Sequence, residues 1–118
     1  KGDGTRTFSR KQKMKTNFIK TYQVNKNICE GLISFFNNNS HQWVKGHSGG
    51  EIKNHIKKST ELGISLLNDG GTKFLYQKKT FNAIQGLTLI WPATWTHTHQ
   101  GVIAKKEKLI ITGWLSFL

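Results

Sequence analysis

From Leu62 onward the chain is a succession of short apolar segments cut by strong turn signals, with no helical period between most of them. Leu62-Gly63-Ile64-Ser65-Leu66-Leu67 ends at Asn68-Asp69-Gly70-Gly71, a sequence that favours a tight reversal. Thr72 to Gln77 follows, then the turn Lys78-Lys79, then Thr80 to Ile84. Gln85-Gly86 leads into Leu87-Thr88-Leu89-Ile90-Trp91, which Pro92 stops. Lys108 to Phe117, with Leu109, Ile110, Ile111, Trp114, Leu115 and Phe117, reads as the last strand. Short strands joined by turns can bury their apolar faces only against one another. The expected fold class is therefore mainly β (α+β), a sandwich or jelly roll over residues 63–118.

The first half has a different character. Ile28, Leu32, Phe35 and Phe36 fall at helical spacing, which predicts a helix from about Asn25 to Asn37 with Asn25 or Asn27 as its cap and Glu30 in its first turn. Asn37-Asn38-Asn39-Ser40 stops it, and His41 to Ser59, rich in Gly and Lys, reads as loop. Residues 25–62 are thus a helix-and-loop region preceding the core, and residues 1–24 a basic, loosely ordered segment. The apolar fraction is 36%, or about 46% with the 12 glycines, which is the globular range and argues against simple disorder. No apolar run reaches the roughly 20 residues of a bilayer span, so no integral membrane role is expected. A lone cysteine, Cys29, cannot close an internal disulfide; it reads as a small buried hydrophobe in a reducing, cytoplasmic setting. The net charge is +12, and residues 1–26 hold eight basic side chains against one acid. Such a block is usually a solvated tail, while its functional reading is an arm on nucleic-acid phosphates, with aromatic side chains stacking on bases. The chain opens on Lys1, and its single methionine, Met14, marks a candidate start, so residues 1–13 stand partly outside this reasoning.

Chemistry concentrates in Trp91-Pro92-Ala93-Thr94-Trp95-Thr96-His97-Thr98-His99-Gln100-Gly101. Histidines at i and i+2 of a strand share a side and can meet one metal, although by spacing alone a surface or hydrogen-bonded pair is the commoner case. Four features in order give this stretch more weight. They are Leu67-Asn68-Asp69 before Gly70-Gly71-Thr72-Lys73-Phe74; Gly86-Leu87-Thr88-Leu89-Ile90-Trp91-Pro92; Thr98-His99-Gln100-Gly101; and Lys108 six residues before Trp114. Together they make residues 70–118 resemble the C-terminal half of the 2-oxoglutarate/Fe(II)-dependent dioxygenases, closest to their prolyl 4-hydroxylase-like branch. Phe18 to Gln23 and Lys58 to Ile64 are similar to sequence preceding the catalytic core in some microbial and viral relatives.

That resemblance implies a partial double-stranded β-helix, cupin-like, with Fe(II), 2-oxoglutarate and ascorbate as cofactors. It implies hydroxylation of an unactivated C–H, on a prolyl, other peptidyl or small-molecule substrate. By the same resemblance His99 is the distal metal ligand, His97 its neighbour, and Lys108 the cation on the far carboxylate of 2-oxoglutarate. Trp91, Trp95 and Trp114 then wall the pocket, or are ordinary core aromatics. Non-haem Fe(II) in such sites takes two histidines and one carboxylate on one face. The family's proximal His-x-Asp or His-x-Glu does not occur in this chain. Either an internal segment is missing, with the junction near Ser65-Leu66, or His47-Ser48-Gly49 is a degenerate proximal motif with His47 as the weaker metal candidate. The first explanation predicts an incomplete triad and an inactive or truncated relative. The alternative from another class is a small basic nucleic-acid-binding module; a third is an aggregating fragment with open edge strands.

Overall fold

The computed structural model describes residues 17–45 and 58–116. Seven strands build two antiparallel sheets. In chain order they are β1 (Lys20–Gln23), β2 (Lys58–Ser65), β3 (Gly71–Phe74), β4 (Lys79–Asn82), β5 (Leu87–Pro92), β6 (His99–Val102) and β7 (Ile110–Ser116). The four-stranded sheet runs β1-β5-β2-β7 and the three-stranded sheet β4-β3-β6. One helix, α1 (Lys26–Asn38), follows β1. The expected β-rich jelly-roll architecture with an N-terminal helix is present.

The sheets face each other through Phe74, Leu89 and Trp91, all buried, with Ile19, Phe81 and Leu87 packed against them. Phe74 meets Phe81 and Trp91 edge to face, at ring separations of 5.9 and 5.2 Å. Full burial of a side chain such as Phe74 stabilises by about 1.5–3 kcal/mol. Odd positions of β5 therefore point inward. Residues registered with them share that face, so Glu61 and Gly63 of β2 and Thr112 and Trp114 of β7 line the same side.

Turn chemistry joins the strands as their residues dictate. Gly70 (φ +82°) and Gly86 (φ +90°) occupy the left-handed region at the two reversals. Gly86 also lies against the Val24 carbonyl, its own carbonyl accepting from Val24 N at 2.8 Å. Asn68 Oδ1 accepts from Gln85 N at 2.6 Å and ties one turn to the other.

Three expectations need correction. Lys20–Gln23, placed in a loosely ordered segment, pairs along its whole length with β5; the structural description begins at residue 17, so the remainder of that basic segment lies outside it. The core does not begin at residue 63: β2 starts at Lys58 and is one strand paired on both edges, so Lys58 to Glu61 belong to it. Leu66 N continues the pairing to the Leu109 carbonyl at 2.9 Å. Asn25 caps α1 as expected, its side chain accepting from Asn27 N, but the helix starts at Lys26 and Glu30 lies beyond its first turn. Glu30 instead accepts from Gln85 Nε2 at 2.7 Å. Cys29 is fully buried, and that burial, with Glu30 adding to it, pushes its thiol pKa up, as befits a packing residue.

Candidate cosubstrate and metal site

β6 and β7 each have a strand partner on one side only among the described residues. The two edges lie together, because Lys108, just before β7, crosses to the inner face of the β3–β6 sheet. Its Nζ donates to the Gly71 carbonyl at 2.8 Å. It also fills the space beside Gly101: a Cβ there would stand 2.9 Å from Nζ. Gly101 is two residues from His99, so the two positions share a face and stand about 7 Å apart along β6. His99 and the Lys108 amine thus lie on one face of β6, Lys108 reaching there from the loop before β7.

The loop before Lys108 is held by one carboxylate. Asp69 accepts from the backbone N–H groups of Lys105, Lys106 and Glu107 at 2.9, 2.7 and 3.0 Å. These N–H groups, Lys105 foremost, hold the Asp69 pKa below its usual value. The Leu-Asn-Asp element therefore has a structural purpose: Asn68 fixes one neighbouring turn and Asp69 the loop that presents the lysine. No carboxylate pairs with Lys108 among the described residues, which leaves a half-buried cation with spare donors in the cleft.

His99 packs against Phe74 and Trp91, at ring separations of 5.6 and 5.0 Å. Its Nδ1 lies 2.9 Å from the His97 carbonyl. A carbonyl only accepts, so Nδ1 donates to it. Nε2 faces Glu61 Oε2 at 3.5 Å. Glu61 is the charged neighbour of His99 that sequence reasoning missed. It stands in register between Trp91 and Trp114, in a strand that begins at Lys58 and is read from sequence as beginning at Leu62. The alternation Glu61-Gly63-Ser65 was the available signal.

His97 is not a second ligand beside His99. It sits in a 3-10 turn, Trp95–His97, which breaks the strand period. Its Nε2 donates to the Asn17 carbonyl at 2.7 Å, and Nδ1 lies 3.0 Å from the Thr96 hydroxyl. Trp95 does not wall the cleft; it is 76% exposed and meets Tyr76 edge to face. Trp91 belongs to the core and touches His99, while Trp114 is partly exposed on the inner face of β7. His47 lies outside the described residues.

The Fe(II) ligand set is not met here: no three His, Cys, Asp or Glu side chains gather to hold a metal among the described residues. They bring one histidine, His99, and one carboxylate, Glu61, together.

No protein-family model matches the chain, and no curated protein matches it. Among solved structures it is similar to the viral collagen prolyl hydroxylase of Paramecium bursaria Chlorella virus-1 in its 2-oxoglutarate complex. The TM-score is 0.58 at 12% identity, over 84% of this chain and 95% of that one. This is a prolyl hydroxylase-like fold. A truncated form of the same viral enzyme matches 95% of this chain and 80% of its own at 14% identity, with a TM-score of 0.43. No helix among the described residues is long and apolar enough to cross a membrane.

Proposed function

We propose that this chain is a 2-oxoglutarate/Fe(II) dioxygenase-like protein that keeps the cosubstrate half of the site and lacks, among its described residues, the complete iron half. Lys108 takes the C5 carboxylate of 2-oxoglutarate. The observation that carries this reading is the placement of its amine: on the inner face beside Gly101, unpaired with any described carboxylate, on the same face of β6 as His99. An uncompensated ammonium in a half-buried cleft favours an anion. Gly101 leaves the room for that amine, and Asp69 holds the loop from which the lysine reaches. Hydroxylation of a peptidyl, prolyl or small-molecule C–H is the reaction of the class, and the described residues supply one histidine and one carboxylate toward the triad it needs.

Calorimetric titration with 2-oxoglutarate tests the reading. Wild-type protein binds one equivalent. Lys108→Met weakens binding about 10- to 100-fold, the worth of a hydrogen bond to a charged group at roughly 1.5–3 kcal/mol. Gly101→Ala, which pushes on the Lys108 amine, weakens it in the same direction. Succinate release under O₂ with added Fe(II) stays at the level of a His99→Ala control. Binding indifferent to Lys108→Met overturns the cosubstrate assignment. Succinate release lost on both His47→Ala and His99→Ala overturns the incomplete-triad reading in favour of a degenerate proximal motif.

A further inference from the structure

We propose that the concavity between Asn17-Phe18, the β3–β4 turn and the Trp95–His97 turn binds single-stranded nucleic acid, its aromatic rings stacking on bases and its lysines meeting phosphates. The proposal is independent of the reading of Lys108. The concavity measures ≈ 510 Å³ and has Phe18 and Tyr76 in its wall. Trp95 adjoins it and meets Tyr76 edge to face at a ring separation of 6.1 Å. Phe18, Tyr76 and Trp95 are 69%, 64% and 76% exposed. One exposed aromatic needs no explanation; three brought to one recess from three separate stretches of chain mark a binding surface.

The backbone beneath these rings is fixed. Phe18 has φ +61°, a left-handed conformation that is strained for a bulky side chain and persists only where its neighbours impose it. Asn17 does so from one side: its carbonyl accepts from His97 Nε2 at 2.7 Å, and its side-chain oxygen accepts from Ile19 N at 3.0 Å. Gln77 Nε2 donates to the Thr96 carbonyl at 2.9 Å and joins the β3–β4 turn to the 3-10 turn. The Thr98 hydroxyl donates to the Trp95 carbonyl at 2.7 Å. Aromatic rings carried on a backbone tied in this way lose little freedom when a ligand arrives, which is what a stacking platform needs.

Charge selects the ligand class. Lys79, the first residue of β4, lines the concavity, and Lys78 is exposed next to it in the turn. The four described carboxylates stand elsewhere: Glu30 on Gln85, Glu61 facing His99, and Asp69 and Glu107 at the loop before Lys108. None of them lines this recess. The whole chain carries a net charge of +12, which draws a polyanion toward it. Exposed rings beside unpaired cations suit a strand that offers base faces and phosphates together. A proline-rich peptide would use the rings and leave the lysines without a partner, and a duplex would use the lysines and hide its base faces from the rings.

The test is fluorescence anisotropy of the full chain with labelled short oligothymidylate and oligouridylate, without metal or 2-oxoglutarate; the tighter of the two identifies the sugar. Trp95→Ala and Tyr76→Ala are each expected to weaken binding about 5- to 150-fold, the worth of one stacked base. Lys79→Gln is expected to lower the slope of log affinity on log salt by about 0.7, the share of one phosphate on a single strand. Phe35→Ala, which removes an exposed ring on α1 outside the recess, leaves the affinity unchanged, and duplex binding is insensitive to Trp95→Ala. Wild-type protein alone gives a second readout: an abasic strand of the same length binds at least 5-fold more weakly than oligothymidylate. Equal affinity for the abasic strand overturns the proposal, because charge alone then accounts for binding. So does a loss on Trp95→Ala and Tyr76→Ala no larger than that on Phe35→Ala, or tighter binding of a neutral oligoproline peptide that those two variants abolish.

Discussion

Asp69 shows how much a single side chain organises at the residue scale. Its carboxylate receives three consecutive backbone N–H groups, and the loop they belong to delivers Lys108. Because folding lowers its pKa below 3.8, the Asp69 contribution to stability is present above that value and is lost as pH falls through the folded value. Asp69→Asn is therefore expected to lower the thermal midpoint at pH 7 and to matter progressively less as pH falls through the folded value. Parallel melts of both proteins across an acid pH series check this; a difference that stays constant as pH falls would mean that something other than the charge holds the loop. His99 and Lys108 were reachable from sequence through spacing and resemblance. Glu61 was not, because its partner is 38 positions away in the chain and the polar run Lys58-Ser59-Thr60 disguises the start of the strand.

Elements that carry their own local signals were the legible ones. α1 had its apolar period and its Asn25 cap, and β3, β4 and β5 had turns on both sides. β1 and β6 had neither. β1 exists because Lys20–Gln23 pairs with β5, and β6 because His99–Val102 pairs with β3; both are consequences of partners far away in sequence. The Trp95–His97 turn also escaped notice, and with it the divergence of the two histidines. His97 is a latch rather than a ligand: it is buried and joins the turn before β6 to Asn17, just ahead of β1. His97→Ala leaves the Asn17 carbonyl without its donor and should destabilise by about 1–3 kcal/mol in urea titration. A variant as stable as wild type would remove the latch.

On the scale of the whole molecule, the sheets close on the core at Phe74, Leu89 and Trp91, and β6 and β7 form edges among the described residues. At that side a cation, a histidine and a carboxylate come together. The fold is that of a viral enzyme solved with 2-oxoglutarate, at an identity of 12% that carries the architecture only. Sequence alone conveyed the β-rich class because turn chemistry repeats along the chain. It could not convey which edges meet, since sheet order is set by packing between segments and not by any one of them. The central claim is that Lys108 and His99 line one anion-binding cleft. A crystal structure of the chain soaked with 2-oxoglutarate tests it most directly. The account predicts the C5 carboxylate on Lys108 Nζ, with the amine drawn from the Gly71 carbonyl toward the ligand and the other end of the molecule directed toward His99. Lys108 still bound to Gly71, with 2-oxoglutarate elsewhere or absent at saturating concentration, would contradict it.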